Sequence, residues 1–520
     1  MAESEHASLA GNQNGDVKKP EKDEEVWSPS GSAWRDFLYF CGPGWFVSIA
    51  YVDPGNYQAD IQAGATTRYY LLFSVWWSTL LSIYIQCLCV RLAFYGKMNL
   101  AQAQAKHVGS SRMMRYLNWA IAEFSTIITD LPEVIGFGIA CNIIFGWPYY
   151  VGVLLSLLTT MMFLATMNYG MKVLEGIVFL FVFIMAVALF VEMSFVGVNT
   201  GELFEGWFIG FKDVTGEDVF SITGILGAVV MPHNLYLHTA ALQSRKVEQK
   251  DESIRMAVKW SSFETVIPII FSFFMNMAVI AIAAERVYGQ VTDGEQVGLT
   301  DFCEFFKTIK GGCALWAIAL LAAGQSSAIT TTYTGQYVMD GFLNIQLPVS
   351  ARAIVTRLVA ITPCVIVSAA FPDNLNQMVN VVNSSLAFLL PFAFTPLVKY
   401  TCSHELMGTG VAPKWEKYLL YTLCFVVWAI NAIAFSAEGG GLFADRSSNY
   451  YLRSSTATSK DHGSMDRLSV KLDLAKSFLA DQDFSWIPLE GESHPPQWPL
   501  DSKPDRKKKT TTTPWQNMVG

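Results

Sequence analysis

Long apolar stretches separated by short polar ones fill the middle of this chain. A helix needs ~20 apolar residues to cross the hydrocarbon core of a bilayer. Eleven segments meet or approach that length: 37–65, 69–96, 116–146, 149–167, 172–197, 221–243, 256–284, 311–342, 352–371, 375–400 and 416–436. The pattern predicts an all-α polytopic membrane protein, with one transmembrane domain over 34–438 and span 11 at its periphery. The polar, acidic residues 1–33 and the Ser/Lys/Asp-rich tail 439–520 read as disordered.

Composition sharpens this picture. Hydrophobic residues make up 52% of the chain and charged residues only 15%, the balance of a bilayer protein rather than a soluble one. The first 33 residues hold no short apolar core of the kind a cleaved signal peptide carries, so span 1 is expected to act as the insertion signal. Lysine and arginine gather in the loops after even-numbered spans (Lys97, Lys106, Arg112, Lys172, Arg245 and Lys399 among them), while the loops after spans 5 and 7 are mostly acidic. The positive-inside rule then places the N-terminus in the cytoplasm. The net charge of −8 lies in loops and tails and suggests no nucleic-acid partner. Nine cysteines are scattered through the chain. Only Cys87 and Cys89 are neighbours, and at i, i+2 they face different ways, so the set reads as small buried hydrophobes.

Two of the spans contain sequences that break a helix. Span 1 carries "VDPGN" from Val52, and span 6 carries "GAVVMPHNLYLH" from Gly227 to His238. Transporters built from inverted repeats place one interrupted helix at the same position in each half and bind substrate where the breaks meet. Spans 1 and 6 are separated by one repeat of five, which predicts halves over about 34–197 and 221–400. Proline has no N–H to close the bond to the carbonyl four residues earlier. Pro54 therefore frees the carbonyl of Ala50, and Pro232 that of Ala228. In hydrocarbon a freed carbonyl must meet protein, water or an ion.

Asp53 adds a charged oxygen to these dipoles, Asn56 an amide oxygen, and Met231 a thioether sulfur one turn from Ala228. An oxygen cage alone suits magnesium or calcium, whereas a thioether favours softer transition metals. Single prolines and methionines are ordinary in membrane helices. An aspartate at bilayer depth is not, and it marks function by default.

At these positions the chain resembles the Nramp family of proton-coupled divalent metal transporters. The likeness includes "CGPGWFVSIAYVDPGNYQADIQAGA" in span 1, "TDLPEVIGFGIACNIIFG" in span 3, "GAVVMPHNLYLHTAALQSR" in span 6, "GQSSAITTTYTGQYVMDGFL" in span 8 and "RAIVTRLVAITP" in span 9, over about residues 35–436. It implies a leucine-transporter-type fold, alternating access, and import of Mn²⁺ or Fe²⁺ with protons. Its metal ligands fall on Asp53, Asn56, Met231 and the Ala228 carbonyl, the groups the backbone argument selects. One region departs. The family carries a glutamine in span 10 about five residues before Leu-Pro-Phe, and here the segment reads "VNVVNSSLAFLLPFAF". Alignment on Leu390-Pro391-Phe392 puts Leu386 at the glutamine position, and alignment on Asn380 puts Asn383 there.

Span 3 carries Glu123, Asp130 and Glu133 at offsets that share one helical face. Such acids belong in the bundle interior, where a carboxyl can exchange protons. The resemblance implies a proton pathway through Asp130 and Glu133, with Arg352 of span 9 in the same polar network. His233 follows the span 6 break and titrates near physiological pH, which makes it a candidate proton relay. His238 lies ~140° further round the helix and reads as structural. Binding of a divalent cation requires Asp53 to lose its proton, so that residue also joins the proton pathway. Glu264, Gln325, Thr330, Thr332 and Gln336 are polar residues within spans that interhelical hydrogen bonds would explain.

Alternatives are a magnesium or broad divalent carrier of the same fold, which Met231 disfavours, and a membrane metal sensor. No Walker sequence or nucleophile–base pair points to an enzyme, no cofactor is expected beyond the transported ions, and "NSS" at Asn383 lies within a span where glycosylation does not reach. The membrane is expected to be the cell surface or an endosome or vacuole.

Overall fold

The computed structural model describes residues 26–108, 111–166, 171–210, 216–289, 297–305, 311–345 and 348–451. Span 1 consists of Pro43–Ser48, a 3-10 turn Ile49–Tyr51 and a second half Pro54–Thr67, preceded by a stub Ala33–Phe40. Spans 2 to 5 are Leu72–Tyr95, Arg112–Phe145, Tyr149–Thr166 and Met171–Val196. Span 6 is divided into Gly216–Val229 and Pro232–Leu242. Spans 7 to 11 are Asp251–Arg286, Gly312–Leu343, Val349–Ala370, Leu375–Thr401 and Lys414–Tyr451. Seven of these helices are long and apolar enough to cross a membrane, three shorter apolar ones lie in spans 4, 5 and 9, and span 1 is in pieces.

The helix ends follow from local chemistry. The Ser111 hydroxyl accepts the Met114 N–H and starts span 3, and Gly146, at φ +68°, supplies the left-handed residue that closes it. Interior prolines at 132, 268, 391 and 396 remain inside continuous helices, whereas Pro54 and Pro232 open the second half of a divided one. At N1 a proline loses nothing, because its missing N–H would have had no partner there.

Spans 3 and 8 run against each other extensively, and the first half of span 6 packs on span 10. Without a hydrophobic drive inside lipid, such contacts depend on small residues that let backbones approach. A Cβ on Gly324 of span 8 would lie 2.8 Å from the Glu133 carbonyl of span 3, and one on Gly136 would lie 2.6 Å from Pro54 Cγ. Span 11 exposes Trp415, Tyr418 and Phe425 and packs on span 10 and the first half of span 6, with Glu416 at its start paired to Arg91 of span 2, a peripheral position.

Three expectations are revised. Residues 26–32 are not part of a loose tail, because Trp27 is buried: its N–H donates to the Lys246 carbonyl and its own carbonyl accepts from Glu248, each at 2.9 Å. Span 11 continues as helix to Tyr451, beyond the predicted end at 436. The rest of both tails lies outside the described residues. Cys303 and Cys313 form a disulfide, with Cα atoms 4.8 Å apart between spans 7 and 8. Their ten-residue separation conceals in sequence what the turn between the spans brings together.

Candidate metal centre

The break in span 1 is organised by Asp53, the extended residue at φ −89°, ψ 171° that caps the second half-helix. Its Oδ1 accepts from the Asn56 backbone N–H at 2.7 Å and from Asn56 Nδ2 at 2.8 Å. The same Nδ2 donates to the Ala50 carbonyl at 3.1 Å. The carbonyl that Pro54 releases is therefore claimed by a side chain from the following turn, which revises the expectation that it is free. What stays unpaired is a pair of buried acceptors, Asp53 Oδ2 and Asn56 Oδ1.

Met231 occupies the corresponding place in span 6, extended at φ −72°, ψ 128° just before Pro232. It and Ala228 are fully buried, and Pro232 offers no N–H to the Ala228 carbonyl. Span 10 joins the two breaks. Asn383 Nδ2 donates to the Gly55 carbonyl at 2.8 Å, while its Oδ1 is buried and unpaired. A Cβ on Gly55 would lie 3.0 Å from that Oδ1 and 3.3 Å from Asp53 Oδ1. On the other side, a Cβ on Gly227 would collide with the Asn383 carbonyl and lie 2.6 Å from Ala387 N. Only glycines at 55 and 227 permit this approach. Leu386, the alternative span 10 position, packs in the apolar core instead.

The centre thus gathers oxygens that lack hydrogen-bond donors. Buried acceptors without donors are costly unless a cation satisfies them. Among the described residues no group of three or more His, Cys, Asp and Glu side chains is assembled for a metal. The arrangement instead suits a cation held by one carboxylate, amide and carbonyl oxygens, and a thioether.

Residues 44–437 match the family described as natural resistance-associated macrophage protein-like, Nramp. The metal transporter nramp1 homolog of Dictyostelium discoideum is 35% identical over 426 residues, covering 80% of this chain and 77% of its own length. Metal transporter Nramp3 of Oryza sativa subsp. japonica is 35% identical over 420 residues, 79% of this chain and 74% of its own. The chain belongs to the Nramp family. A crystal structure of the Eremococcus coleocola manganese transporter, solved with an aromatic bis-isothiourea substituted compound, superposes with a TM-score of 0.74 at 26% identity, over 88% of this chain and 95% of that one. The closed conformation of Mhp1, a nucleobase-cation-symport-1 family transporter, is 14% identical with a TM-score of 0.51, over 76% of this chain and 90% of that one. The fold is the leucine-transporter type, and this Nramp chain is an integral membrane transporter.

In this Nramp chain the acids of span 3 face spans 8 and 9. The Thr331 hydroxyl donates to Asp130 Oδ1 at 2.5 Å and lies 3.3 Å from Glu133 Oε2. Arg357 brings Nε to 3.4 Å from Asp130 Oδ2 and Nη2 to 3.5 Å from Glu133 Oε2. Arg352 is not their partner. It pairs with Glu123 at 2.5 Å. The two arginines are five residues apart, so their side chains leave span 9 in different directions. Arg357 carried its own signal as a cation within a predicted span.

His233 Nδ1 meets Thr129 Oγ1 at 3.3 Å while Nε2 has no partner. Thr129 precedes Asp130, so the histidine beside Met231 touches the helix that holds the acid cluster. His238 is satisfied on both nitrogens, by Gln86 Oε1 at 2.7 Å and Thr265 Oγ1 at 3.3 Å. Thr330 and Thr332 bond back to Ser327 and Ala328 carbonyls of their own helix rather than across to another. The Oε1 atoms of Gln325 and Gln336 are unpaired.

Proposed function

We propose that the chain is a secondary transporter that carries Mn²⁺ or Fe²⁺ into the cytoplasm together with protons. The observation that carries this reading is the set of buried, donorless oxygens of Asp53, Asn56 and Asn383 at two helix breaks, with Met231 opening the second half of span 6. The relatives' names as metal transporters, and one solved neighbour's as a manganese transporter, support it.

The chemistry proceeds in balanced steps. A protonated Asp53 that takes up M²⁺ releases one proton and leaves a carboxylate bound to the ion. Asn56 Oδ1, Asn383 Oδ1 and the Ala228 carbonyl replace hydration oxygens, and Met231 adds the soft donor that discriminates against Mg²⁺ and Ca²⁺. The released proton passes by His233 and Thr129 to Asp130 and Glu133. Rocking of the half-helices about the two breaks then exposes the centre to one side of the membrane or the other. The charge pattern of the loops sets the N-terminus, and the first half of span 1, on the cytoplasmic side.

One observation favours a second reading, a carrier of broad divalent range. Asn383 brings an additional oxygen to a set with a single sulfur, and oxygen-rich sites suit harder cations. Uptake of Mn²⁺, Fe²⁺, Mg²⁺ and Ca²⁺ by reconstituted vesicles, wild type against Met231→Ala, separates the two. The transition-metal reading expects the wild type to reject Mg²⁺ and Ca²⁺ and the variant to lose that rejection. An identical ranking in both proteins removes the thioether from the account.

A further inference from the structure

Span 1 is interrupted twice. Besides the break at Asp53, the helix stops at Cys41 and resumes at Pro43, with Gly42 between them at φ +137°. That backbone conformation is open only to glycine in practice. It leaves the first amides of Pro43–Ser48 without helical partners.

A side chain from span 7 serves them instead. Glu264 Oε1 accepts from the backbone N–H of Gly42 and of Gly44, both at 2.9 Å, and from Trp45 at 3.2 Å, and Oε2 accepts from Gly44 at 3.0 Å. The carboxylate is fully buried, and its fit is tight: a Cβ on Gly44 would lie 2.7 Å from the Thr265 Cα and 2.5 Å from Glu264 Oε2. On the other side of the same joint, Arg245 Nη2 donates to the Cys41 carbonyl at 3.0 Å. An anion therefore holds the donors after the joint and a cation holds the acceptor before it. Hydrogen bonds to ionised groups are about twice as strong as neutral ones.

We propose that Glu264, assisted by Arg245, is a positioning residue that pins the first half of span 1 and so sets when the metal centre opens to the cytoplasm. The helix it holds ends in Ala50 and Tyr51, and Ala50 is bonded to the Asn56 amide that also holds Asp53. A tilt of this half-helix therefore moves the centre's framework, and it requires the Glu264 contacts to break. No other role follows from its place: it bonds to backbone alone among its described contacts and lies outside the Asp130–Glu133 cluster. The consequence for transport rests on the reading above, but the pin itself is testable without metal.

The experiment is hydrogen–deuterium exchange on the full chain in nanodiscs, metal-free, for wild type, Glu264→Gln and Arg245→Met. The glutamine amide turns a donor toward backbone donors and so loses part of the set. Exchange in peptides spanning 41–51 is expected to rise roughly tenfold in Glu264→Gln, and less in Arg245→Met, while spans 3 and 8 stay as protected as in the wild type. In vesicles, the apparent KM for external Mn²⁺ rises, because fewer molecules rest in the state open to that side. Unchanged exchange over 41–51 in both variants overturns the proposal. So does loosening spread evenly over spans 3, 7 and 8, which would make Glu264 an ordinary core group.

Discussion

Two sets of buried acids in this protein are treated in opposite ways. Asp130 and Glu133 share the guanidinium of Arg357 and the hydroxyl of Thr331. Asp53 spends one oxygen on Asn56 and leaves the other with no partner at all. A buried carboxyl oxygen without a donor or a counterion is among the costlier features a fold can hold. The span 3 cluster meets a cation and a hydroxyl supplied by the chain itself. The break in span 1 leaves its second carboxyl oxygen without a donor among the described residues, and it is there that the proposed cation would be held and released.

The contrast can be attacked from both ends. The largest effect is expected from Arg357→Met, which strips the span 3 acids of their cation. Loss of one partner of a buried pair costs about 3–5 kcal/mol, to be read as a lower thermal midpoint in detergent, and Asp130→Asn in the same chain is expected to recover part of it. Full stability of the single variant would show that the acids are not held as charges.

Next in size is Asp53→Asn. Changes to groups that merely support a metal ligand already lose about 10–100-fold in affinity, so removal of the proposed charged ligand is expected to lower Mn²⁺ binding and uptake by about 100-fold or more. Stability of the metal-free protein is expected to hold or rise, since an uncompensated acid has gone. A fall in stability comparable to that of Arg357→Met would erase the distinction between the two regions.

A smaller change is expected from Glu133→Gln. Metal binding is expected to remain while the response of uptake to an external pH step flattens, because a proposed acceptor of the proton is lost. Retention of the wild-type pH response would route the proton elsewhere. Smallest is Asn383→Leu, which removes one neutral oxygen and the bond to Gly55. A several-fold weaker affinity, with little change in metal ranking, is expected from loss of a single uncharged donor; titration calorimetry with Mn²⁺ reads it.

Much of this architecture is legible in the chain because bilayer physics leaves few options. Apolar length locates the spans, and Pro54 and Pro232 mark where two of them divide. Asp53 and Asn56 stand out by polarity that is out of place in hydrocarbon, and Met231 by its position beside Pro232. The errors are equally physical. Arg352 and Arg357 differ only in direction around one helix, and which of them meets Asp130 depends on how span 9 is rotated against span 3. Asn383 and Leu386 pose the same question for span 10, and the contact with Gly55 answers it. The joint at Gly42 and its partner Glu264 lie 222 residues apart, so neither reveals the other in a linear pattern. The pairing of Cys303 with Cys313 likewise waits on the turn between two spans.

Sequence alone determines that the chain crosses a membrane many times, that two helices break at matching places, and which atoms are released there, because these follow from local backbone chemistry and from the absence of water. Tertiary structure decides which released atoms are claimed and which are left open. Asn56 takes the Ala50 carbonyl, Glu264 takes the amides of Gly42, Gly44 and Trp45, and Asp53 Oδ2 is left without a donor among the described residues. The reason is geometric: a hydrogen bond forms only at short range and near a straight line, and no periodicity along a chain can set the distance between helices distant in sequence.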